Sequence, residues 1–234
     1  RGKETVHLKY NINTGILSGD ALLIQAYRMF EDLPAEKFKA VTQLFSKTAV
    51  ELCEGQQYDM NFETQKEVSY EEYIQMITLK TGVMMGASLQ IGAMIADASE
   101  EDCQHLYEFG KNLGIAFQLK DDYLDVFGQQ DFGKIHAGDI IENKKTILYI
   151  KALEVAEEKE ASELKFWYGM KTDNIDKVYA VEKIYRIAKV DFEVMSLIGN
   201  YTELAMSHLD KIQVADEKKL QLRELAASLI DRQV

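Results

Sequence analysis

One proline and two cysteines in 234 residues leave little to break or to staple this chain. Scarce proline fits long uninterrupted helices, because proline removes a backbone donor and disrupts a helix interior. Cys53 and Cys103 stand far apart with no metal-ligand spacing, so each is expected to be a small core residue in a reducing, cytoplasmic setting. Positive charge is also short. With 27 lysines and arginines against 39 acids the formal net charge is −12, which argues against a nucleic-acid surface and gives no reason for adsorption to anionic lipid. No apolar run reaches the roughly 18 residues of a membrane span. The opening Arg1-Gly2-Lys3-Glu4 has no signal-peptide core, so neither stable membrane insertion nor secretion is expected.

What is present is helical periodicity, with 47% hydrophobic residues to fill a core. The pattern predicts an all-α protein of one domain over residues 1–234, since no Pro/Gly/Ser-rich linker divides it. A polar opening over 1–15 precedes a helix over about 17–31, and Pro34 suits the first position of a helix over about 34–54. Residues 55–66 are polar and turn-prone. Ser69 and Glu72 have capping-box spacing and start a long helix to about Ala96; Ser99 caps another that ends near Phe127. A Gly-containing loop over 128–143 follows, then helices over about 144–159, 161–170, 174–189, 191–212 and 216–231.

The most informative stretch is Phe117-Gln118-Leu119-Lys120-Asp121-Asp122-Tyr123-Leu124-Asp125. At about 100° per residue, Gln118, Asp121, Asp122 and Asp125 share one stripe of a helix that is otherwise largely apolar. Carboxylates in such surroundings are costly unless paired, hydrated or bound to metal, and Mg²⁺ takes oxygen ligands while keeping room for a phosphate-bearing substrate. The stripe therefore reads as a metal-diphosphate port, with a solvated acidic helix face as the ordinary alternative. Lys80-Thr81-Gly82 interrupts an apolar helix and suggests a local distortion there. Lys80 would pair with the carboxylates or bind a phosphate oxygen, or would be a surface lysine. Lys134 and Lys144 lie in or beside the Gly-containing loop, where they could close over a polyanion or simply decorate the surface. His7, His105, His136 and His208 show no metal spacing and are expected to be structural or surface residues.

Together these stretches resemble the trans-isoprenyl diphosphate synthases of the polyprenyl synthetase family. The likeness rests on Arg1 to His7, Gly19-Asp20-Ala21-Leu22-Leu23, Lys80-Thr81-Gly82, Phe117 to Asp125, and Gly133-Lys134 through Asp139 to Thr146. The resemblance implies a helical bundle around a central apolar cavity and a Mg²⁺-dependent prenyltransferase that joins an allylic diphosphate to isopentenyl diphosphate. It assigns the metal to Asp121, Asp122 and Asp125, and the allylic diphosphate to Lys80, Lys134 and Lys144, with Thr81 and Gln118 as polar neighbours. It gives Arg1 to isopentenyl diphosphate, Phe117 to that substrate's hydrocarbon and Asp139 to an outer shell around the metal. A homodimer is also implied.

The chain departs from the family pattern in starting at the second Arg of its Arg-Arg-Gly motif, so the first Asp-Asp-x-x-Asp motif is not in it. A polypeptide of these residues alone is therefore expected to be inactive. Phe127 to Gly133 also looks short for the family. Two other readings stay open on the sequence: a class I terpene cyclase, and a non-catalytic partner subunit of a prenyl synthase.

Overall fold

Asn11 caps the first long helix, which starts at Ile12, about five residues earlier than expected. Its backbone is extended, and its side chain accepts from Thr14 N at 2.8 Å, so a polar string that reads as loop by composition is an N-cap. A computed structural model describes residues 3–128 and 136–232, and the regular elements among them are all helical. They fall into two compact units, residues 1–47 and 48–234.

The first unit holds α1 (Val6–Lys9), α2 (Ile12–Arg28) and the start of α3 (Ala35–Phe62). The polar opening is thus partly helical, and α2 ends at Arg28 instead of continuing to 31. The rings of Tyr27 and Phe30 meet Phe45 edge-on at 5.0 and 5.4 Å, and Tyr27 and Ser46 share a hydrogen bond of 2.9 Å between their hydroxyls.

The second unit contains the rest of α3, then α4 (Tyr70–Ile77), a π-helical turn (Thr78–Gly82) and α5 (Val83–Ile95). After these come α6 (Glu100–Phe127), α7 (Gly138–Ile141), α8 (Ile147–Val155), α9 (Glu158–Tyr168), α10 (Ile175–Ile187), α11 (Val190–Lys211) and α12 (Asp216–Ile230). The Ser69–Glu72 capping box forms in both directions, at 3.1 and 2.8 Å, and Ser99 accepts from Asp102 N at 3.0 Å. Lys80 lies in the π-helical turn, where the Lys-Thr-Gly interruption predicted a distortion.

Helix α6 is central and packs along α5 and α11. Its Leu113, Ala116 and Leu119 are fully buried; Leu119 belongs to a core shared with Ile147 and Leu148 of α8, Ile184 of α10 and Ile198 of α11. No helix among the described residues is long and apolar enough to cross a membrane.

Two expectations fail on α3. Residues 55–62 continue the helix instead of turning, because Gly55 serves close packing: a Cβ there would lie 2.4 Å from Lys80 N. Thr48, Gly55 and Phe62 are buried at heptad spacing, which turns Cys53 to the opposite face, so it is exposed while Cys103 is buried.

Candidate active site

The four polar residues of the α6 stripe share one face but have different surroundings. Asp122 is buried and held from three sides. Tyr73 Oη donates to its Oδ2 at 2.5 Å, Gln118 Nε2 donates to Oδ1 at 3.2 Å, and Ile147 N donates to Oδ2 at 3.4 Å. Gln118 in turn accepts from Thr81 Oγ1 at 3.3 Å, which fixes the direction of its amide. Burial, and then the charge of Asp139, push the Asp122 carboxyl up to about 7 despite those hydrogen bonds. Asp125 accepts from Asp139 N at 3.0 Å, and the same two causes push it up to about 6. Asp121 has a different partner. It accepts from Arg232 Nη2 at 2.7 Å, and the same guanidinium lies 4.0 Å over the Phe117 ring and donates to Phe117 O at 3.2 Å.

Lys80 leaves the π-helical turn and donates to Asp59 of α3 at 2.6 Å. Its expected pairing with the α6 carboxylates is thus replaced by a partner that the sequence reading placed in a turn. Lys144 donates to Asp139 and Glu142, both at 2.9 Å. Burial tends to lower its pKa, but these two acids outweigh that and hold it above the usual lysine range. Arg1 and Lys134 lie outside the described residues.

One pocket gathers Lys80, Gln118, Asp122 and Lys144, together with Asp59, Tyr73, Asp139, Lys145 and Thr146, over a floor that includes Phe62, Met76 and Ile77. Thr81, Phe117, Asp121 and Asp125 do not line it. The residues missed by the sequence reading are Asp59, Tyr73, Lys145 and Arg232. Gly55 and Asp59 sit one turn apart on the face of α3 that packs against Lys80, a face that shows only once α3 is known to continue through a run of loop-like composition. Tyr73 and Arg232 meet the stripe only through tertiary structure and carried no signal. The histidines stay outside the pocket: His105 and His208 share a 3.1 Å contact between their Nδ1 atoms, and His136 Nε2 lies 2.7 Å from Glu182 Oε1.

Four acids, Asp59, Glu63, Asp122 and Asp139, and three lysines in one pocket suit a ligand that combines a polyanion with a divalent cation. Among the described residues, no three His, Cys, Asp or Glu side chains converge closely enough to hold a metal ion by themselves.

The family model described as "Polyprenyl synthetase" matches residues 1–187. The chain belongs to the polyprenyl synthetase family. It is 34% identical over 234 residues to a protein named geranylgeranyl pyrophosphate synthase from Geoglobus acetivorans, covering 99% of this chain and 71% of that one. Its fold superimposes on a crystal structure of a geranylgeranyl pyrophosphate synthase with a TM-score of 0.94 at 44% identity, covering 100% of this chain and 73% of the other. A geranylgeranyl pyrophosphate synthase from Corynebacterium glutamicum, in complex with isoprenyl diphosphate and magnesium, matches with a TM-score of 0.86 at 30% identity, covering 98% and 66%. This polyprenyl synthetase is accordingly a trans-prenyltransferase with the all-α isoprenyl synthase fold.

Proposed function

We propose that the pocket between α3, α4, α6 and the segment leading to α8 binds the diphosphate of an allylic substrate and activates it as a leaving group. The observation that carries this reading is the placement of Lys80 and Lys144 in the same pocket as Gln118 and Asp122. Each lysine already rests on a carboxylate, Asp59 or Asp139, so a diphosphate would replace those partners with oxygens of its own. Developing negative charge on the departing oxygen would then meet positioned cations in a partly water-excluded site, the condition under which electrostatic stabilisation is strongest.

The donor set fits Mg²⁺. All candidate ligands are hard carboxylate oxygens, and burial, followed by the charge of Asp139, disfavours the charged forms of Asp122 and Asp125, an effect that a cation would offset. Asp121, Asp122 and Asp125 would hold it directly or through water, and the bound ion would supply Lewis-acid charge to the leaving diphosphate. In the reaction the allylic C–O bond breaks, and the double bond of isopentenyl diphosphate forms a new C–C bond to the cation. A proton then leaves to a diphosphate oxygen. The product is an all-trans diphosphate of short or medium length, five carbons longer. Phe117 lies outside the pocket wall, beside Asp121, and suits contact with the second substrate's hydrocarbon, while Arg1 would bind that substrate's diphosphate and Lys134 would join Lys80 and Lys144. We also propose a homodimer, which light scattering would test.

The decisive assay combines Mg²⁺, labelled isopentenyl diphosphate and geranyl or farnesyl diphosphate, with product length read by chromatography. An elongated diphosphate is expected. A hydrocarbon or alcohol, or no label incorporated by the complete protein, would overturn the reading.

A further inference from the structure

Helix α10 gives no side chain to the pocket, yet it holds both ends of the described segment that carries Asp139 and Lys144. At the early end, Glu182 meets His136 Nε2 at 2.7 Å, one residue before Ala137, whose backbone is left-handed with φ 54° and whose N–H donates to Asp125 O at 2.9 Å. At the late end stands Lys177, whose whole residue is 0% exposed. Its ammonium donates to Asn143 Oδ1 at 2.5 Å, Met170 O at 3.1 Å and Ile141 O at 3.2 Å. Three protons meet three oxygens, and no carboxylate is among them. Asn143 is itself left-handed, with φ 60°, and donates to Met170 O at 3.0 Å. Lys144 follows it immediately.

A buried ammonium is a costly way to stabilise a loop when a methionine would fill the same space. What an apolar side chain cannot do is fix two carbonyls and an amide at defined directions. We infer that Lys177 is a positioning residue for the diphosphate pocket: by holding Ile141 O and Asn143 it sets where Lys144 and Asp139 stand, with Glu182 pinning the other end through His136. This rests on the proposed reading of the pocket and adds to it a residue outside the pocket wall.

Any change at Lys177 will also affect folding, so the test must separate position from stability. The complete protein is titrated calorimetrically with inorganic pyrophosphate at fixed Mg²⁺, as wild type, Lys177→Met, Lys144→Ala and the double variant, alongside thermal melts. The expected result is an affinity loss of about tenfold for Lys177→Met that largely disappears in the Lys144→Ala background, since both act through one contact. Additive effects, or wild-type affinity in a folded Lys177→Met protein, would overturn the inference.

Asn143→Gly tests the same tie from the other side. Glycine accepts φ 60° without strain, so the backbone turn is kept while the side-chain bonds to Lys177 and Met170 O are lost. A weaker pyrophosphate affinity, by about threefold or more, is expected of this variant, and unchanged affinity overturns the proposal even if Lys177→Met does not fold. A failure of the pocket reading itself looks different, because then Lys144→Ala alone would leave pyrophosphate binding intact.

Discussion

One wall of the pocket is carried by α3, α4, the π-helical turn and α6, whereas the other is carried by the segment 136–146, in which only α7 is helical. The helical wall places its groups by backbone packing, with Gly55 allowing α3 to lie directly on Leu79 and Lys80. The segment wall places its groups by polar ties. Lys177 holds Ile141 O and the Asn143 side chain, and Lys145 donates to Phe62 O at 2.8 Å. The helical wall holds Asp122 buried; Lys144, on the segment wall, is about half exposed. A fixed carboxylate thus faces a lysine that has room to change partner, which suits a leaving group that must be released after each turnover.

The largest effect is expected where the helical wall is altered at its charge. Asp122→Asn keeps the size and an acceptor for Tyr73, but removes the carboxylate. Turnover should fall by about 10²–10³-fold, the range seen when one preorganised electrostatic group is lost. Stability should move the other way at pH 8. The native carboxyl is raised to about 7, well above its value in an unfolded chain, so the folded state holds a proton that the unfolded state has released. Its contribution to stability is therefore present at acid pH and is lost as pH rises through that window. In metal-free protein the melting temperature should drop between pH 5 and pH 8, and Asp122→Asn should flatten that drop. An unchanged pH profile in the variant would show that Asp122 is not the group responsible.

Next comes the packing that supports the same wall. Gly55→Ala places a Cβ 2.4 Å from Lys80 N, too close to be absorbed without a backbone shift. Overpacking of this kind costs about 1–3 kcal/mol, and the shift should also displace Lys80, so both melting temperature and kcat are expected to fall. If Gly55 merely marked a turn, as the polar run 55–66 suggested, alanine would be harmless or stabilising.

Why that run misled is physical. Helix starts were legible because caps are local: Ser69 and Ser99 declare themselves within four residues. The stripe on α6 was legible because a helix repeats about every 3.6 residues. The π-helical turn at Lys80 showed as glycine and polar residues in an apolar run. Asp59 was hidden because Gly55-Gln56-Gln57 has the composition of a loop, and only the approach of another helix explains the glycine. Nor can periodicity divide a shared face into Asp122, tied to Tyr73 and Ile147, and Asp121, tied to Arg232. Those partners come from distant parts of the chain.

A smaller difference is expected between the two pocket lysines. Lys80→Ala removes a cation that is 34% exposed from beside Asp59, whereas Lys144→Ala removes one that is 47% exposed from beside Asp139 and Glu142, where water has easier access to the place it leaves. Both should raise the KM for the allylic diphosphate, by about tenfold. Only Lys80→Ala should also lower the melting temperature measurably. Equal losses of stability would mean that the segment wall is as tightly packed as the helical one.

The smallest expected effect lies at the edge of the comparison, where Asp121 and Asp122 are neighbours in sequence with opposite partners. Arg232 occupies Asp121 through one ion pair whose side chains are 22% and 39% exposed. Pairs of this exposure contribute about 0.2–1 kcal/mol, so Arg232→Gln should hardly move the melting temperature. If Asp121 serves the metal, however, a cation must displace that guanidinium, and removing it would lower the Mg²⁺ concentration for half-maximal turnover. An energy of that size corresponds to a change of about fivefold at most. A higher Mg²⁺ requirement in Arg232→Gln would reverse the assignment: Arg232 would then be supporting the site instead of competing for it, with its place over Phe117 the relevant contact.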